Sequence, residues 1–242
     1  MTTPIRIIIN GATGQMGQET IRALSTQHDI AIVGKLTRKD ALAKAIEESN
    51  AQVVIDFTTP DCVFENAKTI IKHHAHPIIG TTGLTHNQIE TLSTMCENAQ
   101  LGGIIAPNFS IGVLLLMKFA QQAASYFPDC EIIEMHHNNK KDAPSGTALK
   151  TAELINLKKQ TNDSSIEKIA GARGALHEHI RIHSIRLPGL LAHEEVLFSG
   201  HHELLTLRHD TYNRAAFMPG VLLAIRKVLS LSSLVYGLEN LL

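Results

Sequence analysis

Short apolar runs alternate with helical patterns along the first half of the chain, and this alternation constrains the fold more than any other feature. It is typical of a parallel sheet whose two faces are covered by helices. The predicted strands are Ile5–Ile9, Ile30–Val33, Val53–Ile55, Pro77–Ile79 and Gly103–Ala106. The predicted helices are Gln15–Leu24, Asp40–Glu48, Cys62–His73 and Thr85–Glu97, with Asp61 and Thr85 as caps. We therefore expect an α/β domain.

Three glycines, Gly11, Gly14 and Gly17, directly follow the first predicted strand and open the first helix. Glycines permit a tight turn and let backbone amides approach a pyrophosphate. A packing turn would also explain a glycine triplet, but the strand-turn-helix context favours a Rossmann-type dinucleotide-binding domain. The residues expected at the cofactor are Gly11, Ala12, Thr13, Gly14, Gln15 and Met16.

The pattern changes from Cys130 onward, where strands dominate. The predicted strands are Glu131–His136, His179–Leu187, Glu194–Phe198 and Glu203–His209, with a helix at Ser145–Leu157 and a polar loop at Lys158–Ser165. Open β-structure of this kind indicates a second domain, reached through a long helix over Ile111–Phe127. A last amphipathic helix, Ala216–Leu231, is predicted to return to the first domain. We place residues 1–109 and 213–242 in the dinucleotide-binding domain and residues 110–212 in the second domain.

One short segment, Glu131–Leu149, contains two histidines, two lysines and a Ser-Gly-Thr helix start. Ser145 is predicted to cap the helix, whose free amides and dipole attract a carboxylate or phosphate. His136 and Lys140 stand just upstream, where they can transfer protons to a bound anion. Histidine and lysine in loops are usually solvated, but their density here favours a catalytic site.

The composition favours a small-molecule ligand. A chain of 242 residues with 44% hydrophobic residues can bury one large core or two modest ones. The net charge of -1 gives no basic surface for nucleic acid or a membrane, and apolar runs such as Val113–Met117 fall far below the ~18 residues that a membrane span needs. Cys62, Cys96 and Cys130 are odd in number and widely spaced, so we predict reduced, mostly buried thiols and a cytoplasmic location.

His136-His137, Lys140 and Asp142–Thr147 resemble the signature of the dihydrodipicolinate reductase family of lysine and diaminopimelate biosynthesis. Further stretches resemble the same family, in the family's order, and span nearly the whole chain. They are Gly11–Gly17, Gly80–Gly83, Ala106–Gly112, Ile182–Arg186 and Arg214–Gly220. Leu187–Gly189 and Ala192–Glu195 depart from the glycine-rich and Gly-Glu-His patterns of the family, and we assign no catalytic role there.

The resemblance implies NAD(P)H-dependent reduction of a cyclic, imine-containing dicarboxylate, 4-hydroxy-tetrahydrodipicolinate (dihydrodipicolinate), to tetrahydrodipicolinate. His136 is the expected acid because imidazole titrates close to neutral pH. Lys140 is the expected partner cation or second proton donor, and its spacing favours it over Lys141, where the family usually has an apolar residue. The expected substrate-binding residues are His137, Gly146 and Thr147.

In the family, the loops Gly80–Gly83 and Ala106–Phe109 flank the nicotinamide, and each follows a predicted strand, at the sheet edge where ligands bind. The expected contacts are Gly80, Thr81, Thr82, Ala106, Pro107, Asn108 and Phe109. At the end of the second strand an acid would favour NADH and a base would favour the 2′-phosphate of NADPH. Thr37 replaces the acid that the resemblance leads us to expect. We predict that NADPH is preferred over NADH, with Arg38 as the main phosphate partner, assisted by Lys39 or Lys35, although these cations could also form a solvated loop.

Two other functions fit parts of the sequence. One is a different nicotinamide-dependent imine or carbonyl reductase, and the other is a nucleotide-binding regulator without turnover, against which His136 and Lys140 argue. The remaining histidines lack metal-binding motifs, so we expect no metal.

The resemblance also implies an assembly. The second domain of the family is an α+β substrate-binding and oligomerisation domain with an open mixed sheet, which pairs between subunits into a homotetramer. The strands Val196–Phe198 and Leu204–Leu207 are compatible with such pairing, or equally with packing against their own helix.

Overall fold

A computed structural model describes residues 3–156 and 165–242 of the chain. The chain divides into two compact units. Unit 1 comprises Met1–Ile111 and Phe217–Leu242, and unit 2 comprises Gly112–Ala216. Of the predicted polar loop Lys158–Ser165, only Ser165 lies within the described residues.

Unit 1 contains a parallel sheet of six strands, because its apolar runs are buried on both faces. The strands are β1 (Ile5–Asn10), β2 (Ile30–Leu36), β3 (Val53–Asp56), β4 (His76–Ile79), β5 (Gly103–Ile105) and β11 (Leu234–Tyr236). Their order is β11-β5-β4-β3-β1-β2, and every pair is parallel. The strand order reverses between β1 and β3, the position at which doubly wound sheets bind nucleotides.

The helices of unit 1 are α1 (Gln15–Leu24), α2 (Leu42–Ser49), α3 (Val63–Lys72), α4 (His86–Ala99) and α7 (Met218–Val228). Thr85 caps α4 through a capping box with Gln88, as predicted. The prediction for Asp61 was wrong, since Cys62 is the N-cap of α3. All four helices predicted before Gly103 are confirmed. The bounds of α1 match the prediction, and the ends of α2, α3 and α4 are shifted by a few residues.

The C-terminal segment returns to unit 1, as predicted. Helix α7 is shorter than predicted because a 3₁₀ turn, Arg214–Phe217, precedes it. A Cβ on Gly220 would lie 2.0 Å from the carbonyl oxygen of Phe109, so glycine lets α7 approach the chain there. The strand β11 that follows was not predicted, because Leu234–Tyr236 is too short to show a pattern.

Unit 2 contains a mixed sheet of five strands. The strands are β6 (Asp129–His136), β7 (Ala175–His177), β8 (Ile180–Arg186), β9 (Ala192–Gly200) and β10 (Glu203–Thr211), and the helices are α5 (Ile111–Ala123) and α6 (Gly146–Ile155). The order is β10-β9-β6-β8-β7, with β6 and β8 parallel and the other pairs antiparallel. The open mixed sheet is confirmed, and β7 was missed.

Alternate residues of this sheet face the helices or face away from them. Val196 and Phe198 join Leu116 of α5 and Ala152 of α6 in one buried cluster, so these strand residues pack against helices of their own chain. The other face, which we call the open face, carries apolar side chains with substantial exposure. They include Leu176, Ile185 and Leu204.

The three cysteines are free thiols, as predicted. Cys96 and Cys130 are buried, and burial raises their pKa to about 11 and about 12. Among the described residues, the longest apolar helices are too short or too polar to cross a bilayer.

Candidate active site

The turn after β1 leads into helix α1. Gly11 has a φ of +87°, and a Cβ there would lie 2.4 Å from the carbonyl oxygen of Phe57, so only glycine fits. The amides of Gly11 and Ala12 donate to the carbonyl oxygen of Leu36 at 3.0 and 2.9 Å, which ties the turn to β2. Gly14 caps α1 without a side chain, so the first helical amides are open to an anion. Thr13 lies in the turn, and Gln15 and Met16 begin α1.

Asp56, the buried last residue of β3, joins the loops at this edge of the sheet. Its carboxylate accepts hydrogen bonds from Asn10 and Asn66 at 2.9 Å, from the Thr58 hydroxyl at 2.6 Å and from the Thr81 hydroxyl at 2.8 Å. The loops after β1, β3 and β4 are thereby held together. Sequence reasoning missed Asp56, although a carboxylate at the end of an apolar strand was a usable signal.

Phe57, which directly follows β3, lies against both of the loops predicted to flank the nicotinamide. Phe57 and Phe109 pack edge to face with ring centroids 5.7 Å apart, and a Cβ on Gly80 would lie 2.3 Å from the Phe57 ring. Asn108 accepts a hydrogen bond from the amide of Ser110 at 2.8 Å. Ala106 and Thr81 are buried, whereas Thr82 and Pro107 are exposed. The structure thus brings the predicted residues of these two loops to one edge of the sheet.

The turn after β2 presents Arg38. Asp40 accepts hydrogen bonds from the amide and hydroxyl of Thr37 at 2.7 and 2.8 Å, which lower the pKa of Asp40 and close the turn. Arg38 is exposed between these two residues. The pKa of Asp61 is lowered mainly by a hydrogen bond from Thr59 and, to a smaller extent, by the charge of Arg38. The guanidinium therefore lies toward the loop that follows β3.

In unit 2, Glu134 organises the residues around the end of β6. Its side chain is fully buried. Arg186 holds both carboxylate oxygens in a two-pronged ion pair at 2.7 and 2.8 Å, and the amide of Ser145 donates to the carboxylate at 3.2 Å. Nδ1 of His136 lies 2.5 Å from Oε2 of Glu134. One buried carboxylate therefore connects β6, β8 and the start of α6.

This environment fixes the charge of Glu134 and the orientation of His136. Burial alone would raise the pKa of Glu134, but hydrogen bonds from His136, Arg186 and Ser184 outweigh it and lower the pKa to about 2. The ionised carboxylate only accepts hydrogen bonds, so Nδ1 of His136 carries a hydrogen. Nε2 is then the ring nitrogen left to exchange a proton, the geometry that a general acid requires.

Lys140 and Asp142 form the charged part of the loop between β6 and α6. Nζ of Lys140 lies 2.8 Å from both carboxylate oxygens of Asp142, and this pairing lowers the pKa of Asp142. Lys140 is half-buried and Lys141 is exposed. Arg186 also donates to the backbone carbonyl of Asp142 at 2.8 Å, and the loop continues through a cis Ala143–Pro144 peptide bond. Lys140 is thus held on the loop that leads to α6.

Ser145 caps α6, as predicted, and its hydroxyl accepts a hydrogen bond from the amide of Ala148 at 3.1 Å. Gly146 begins the helix, and a Cβ there would meet nothing within 4 Å. Thr147 and His137 are half-buried. The helix start is therefore open on the side of Gly146, where an anion can approach its amides.

Sequence reasoning named His136 and Lys140 as candidates but did not name Glu134 and Arg186, which the structure joins to the same cluster as His136. Arg186 lies in the stretch Ile182–Arg186, which resembles the family but contained no predicted catalytic residue. A glutamate at an inward-facing position of an apolar strand was the one available signal. Within the described part of the chain, no three His, Cys, Asp or Glu side chains come together as metal ligands.

A doubly wound parallel sheet with a glycine turn at the start of α1, together with the His136 cluster, defines a nicotinamide-dinucleotide oxidoreductase. Family models described as dihydrodipicolinate reductase, N-terminus, and dihydrodipicolinate reductase, C-terminus, match residues 5–109 and 112–242. The chain belongs to the dihydrodipicolinate reductase family and is an enzyme.

Relatives match over nearly their full length. The 4-hydroxy-tetrahydrodipicolinate reductase of Legionella pneumophila is 52% identical over 240 residues, which cover 98% of this chain and 99% of that protein. The enzyme of the same name from Coxiella burnetii is 52% identical over 238 residues, with 98% and 99% covered. The solved structure of dipicolinate-bound dihydrodipicolinate reductase from Paenisporosarcina sp. TG-14 is 44% identical, with a TM-score of 0.92 and 99% and 100% of the two chains covered.

Proposed function

We propose that this enzyme catalyses the NAD(P)H-dependent reduction of 4-hydroxy-tetrahydrodipicolinate to tetrahydrodipicolinate in diaminopimelate and lysine biosynthesis. The observation that carries the proposal is the Glu134-His136-Arg186 cluster beside the open start of α6. The cluster places a proton donor next to a helix start that can bind an anion. A dicarboxylate substrate that must be protonated requires both features. A relative of similar structure is described as binding dipicolinate.

His136 is the proposed proton donor. The 4-hydroxyl group of the substrate leaves as water; a bound nicotinamide would supply a hydride to a ring carbon, and Nε2 of His136 would supply the accompanying proton. Glu134 holds the ring through Nδ1 and stabilises its cationic form, while Arg186 keeps Glu134 ionised. Lys140 is the second cation, held in place by Asp142.

The substrate carboxylates are proposed to bind at the start of α6. The amides of Gly146 and Thr147 and the Thr147 hydroxyl offer hydrogen bonds there, and the helix dipole favours negative charge. His137, next to the proton donor, adds a further polar side chain. On this proposal residues 110–212 form the substrate-binding domain, and residues 1–109 with 213–242 bind the dinucleotide.

We propose that NADPH is preferred over NADH. The turn after β2 directs the carboxylate of Asp40 onto Thr37 and leaves Arg38 exposed next to the edge where the dinucleotide turn lies. Lys35 and Lys39, both exposed, add positive charge beside it. A 2′-phosphate would be attracted to this cluster, and a ribose hydroxyl would not.

A synthase-coupled assay tests the proposed reaction. Purified dihydrodipicolinate synthase generates the substrate, and the absorbance of NADPH, then NADH, reports its reduction. Wild-type protein should oxidise NADPH only when the synthase is active, and His136→Gln and Lys140→Ala should each lower kcat by about 10²-fold or more. No synthase-dependent oxidation with either cofactor would rule out the proposed function.

We also propose that the protein is a homotetramer assembled through the open face of the unit 2 sheet. Leu176, Ile185 and Leu204 are 47%, 36% and 65% exposed on this face, and apolar side chains grouped on one face are typical of an interaction surface. A face made of side chains from several strands suits the symmetric pairing of sheets.

A further inference from the structure

Glu194 is a buried carboxyl group for which the proposed reaction has no use. It lies on β9, directly opposite Glu134 in the antiparallel pairing of β9 with β6, and only 4% of its surface is exposed. Directly opposed residues on one face have Cβ atoms about 5 Å apart. Two ionised carboxylates at that separation in a buried site would repel each other strongly.

The charges around the pair favour Glu134 as the anion. Arg186, His136 and the amide of Ser145 are all directed at Glu134. In the described structure, Glu194 instead contacts the neutral hydroxyl of Thr151, with Oγ1 2.5 Å from Oε1. Glu194 is therefore the member of the pair that benefits from being neutral.

The hydrogen bonds of Thr151 favour the same assignment. Thr151 lies on α6, and its hydroxyl donates to the carbonyl oxygen of Thr147 at 3.0 Å. A hydroxyl has one hydrogen to donate, so the short contact to Glu194 is satisfied when Glu194 carries the proton and donates it to Oγ1 of Thr151. Glu194 then links β9 to the first turns of α6.

The other groups that face Glu194 add no positive charge to hold it ionised. His209 of β10 is its second cross-strand neighbour, and burial lowers the pKa of His209. Helix α5 packs apolar residues against this sheet, and its single charged residue, Lys118, is exposed. Burial first, and then the charge of Glu134, raise the pKa of Glu194 to about 7, although the Thr151 hydroxyl opposes the shift whenever it turns to donate to Glu194.

We propose that Glu194 is a positioning residue of the unit 2 site, which as a neutral acid anchors α6 through Thr151 and on ionising loosens the helix start that carries Gly146 and Thr147. The proposal rests on the function proposed above for that helix start. Since the fold favours the neutral form, the anchor is intact below about pH 7 and is lost as the pH rises. Turnover on the alkaline side then depends on Glu194 as well as on the proton donor.

Two measurements test it on the full-length protein. Hydrogen exchange of the peptide covering α6 is compared at about pH 6 and about pH 9 after correction for the intrinsic pH dependence of exchange. The kcat of the coupled reaction is measured over the same range. The variants are Glu194→Gln, whose amide can donate to Thr151 at every pH, and Glu153→Gln, the same substitution at an exposed position of α6.

In wild type and Glu153→Gln, we expect the corrected exchange of α6 to rise about tenfold between the two pH values, and in Glu194→Gln to stay constant. The ratio of kcat in Glu194→Gln to kcat in wild type should rise about tenfold over the same range. Equal exchange in wild type and Glu194→Gln at both pH values, or a kcat ratio independent of pH, would overturn the proposal.

A second variant covers the case in which Glu194→Gln does not fold. Thr151→Val keeps the shape of the side chain and removes the oxygen that Glu194 contacts, so it should show fast α6 exchange already at about pH 6. Slow exchange in Thr151→Val at this pH would also overturn the proposal. The exchange readout needs no substrate, so a wild type that lacks turnover but shows the exchange pattern would refute the proposed function and support Glu194 as the anchor of α6.

Discussion

In unit 2, the properties of several single residues follow from how the negative charge of one buried carboxylate, Glu134, is balanced. Glu134 would be costly to bury alone, and it stays ionised because Arg186, His136 and the amide of Ser145 all donate to it. The same bonds orient the imidazole, so the requirements for stability and for proton transfer coincide in Glu134. A change at Glu134 should therefore affect both properties.

Glu134→Gln should destabilise the protein at neutral pH by about 3 kcal/mol, because it leaves Arg186 without its anionic partner. The lowered pKa of Glu134 means that its contribution is present above about 4.5 and is lost as the pH falls toward about 2. The difference in free energy of unfolding between wild type and Glu134→Gln should therefore shrink over this window. Urea denaturation at neutral pH and near pH 3 measures it, and a difference that persists undiminished in acid would contradict the assignment.

Arg38→Ala should lower kcat/KM for NADPH by about tenfold or more and leave kcat/KM for NADH nearly unchanged, since one charge-assisted hydrogen bond to the 2′-phosphate is worth roughly 1.5–3 kcal/mol. Steady-state kinetics with both cofactors measure the ratio. Arg22→Ala, at an exposed position near the other end of α1, is the matched control. Equal loss with both cofactors would remove Arg38 as the phosphate partner.

At the scale of elements, both candidate sites lie where a strand ends and a helix begins. β1 leads through Gly11 and Gly14 to α1, and β6 leads through the charged loop to α6. Each helix start presents backbone N–H groups that an anion can approach, but the two are built differently. The first needs glycine because the backbone of neighbouring turns is in contact, whereas the second is capped by Ser145 and has space beside Gly146.

This difference predicts opposite results for two Gly→Ala changes. A Cβ at Gly17 would lie 2.3 Å from the carbonyl oxygen of Gly11, so Gly17→Ala should cost about 1–3 kcal/mol of stability and weaken NADPH binding. Gly146→Ala should leave stability within about 0.5 kcal/mol and raise the KM of the substrate. Thermal unfolding and titration with NADPH separate the two cases. A large loss of stability in Gly146→Ala, or none in Gly17→Ala, would contradict this account.

The sequence predicted the elements that repeat a strong pattern and missed those that depend on distant partners. The strands of unit 1 were found because burial on both faces makes them continuous apolar runs, and its helices were found because burial of one face spaces their apolar residues at the helical period. β7 and β11 are three residues long and exist because a neighbouring strand is present, which no local pattern reveals. The pairing of Glu134 with Arg186 and of Asp56 with Thr81 could not be predicted, because these partners are far apart in the chain.

At the scale of the whole molecule, the two faces of the unit 2 sheet have different tasks. One face buries Val196 and Phe198 under α5 and α6 and also carries Glu134 and Glu194. The open face presents apolar residues between charged pairs such as Arg208 with Glu195. The proposed homotetramer would cover this open face.

Leu204→Glu should therefore dissociate the tetramer, because it places a charge on the open face. Light scattering after size exclusion should give four chain masses for the wild type and a smaller assembly for the variant. Tyr126→Glu, which changes another exposed side chain, 80% exposed and outside the strands, is the control and should remain tetrameric. A wild type that is monomeric would remove the proposed assembly.

The most direct test follows the hydride itself. NADPH deuterated at the reactive position is mixed with this protein and freshly made product of dihydrodipicolinate synthase, and the reaction is analysed by mass spectrometry. We predict tetrahydrodipicolinate that carries one deuterium, formed rapidly by wild type and about 10²-fold or more slowly by His136→Gln, with unchanged binding of NADPH. A product without deuterium, or equal rates in wild type and His136→Gln, would contradict a reductase in which His136 donates the proton.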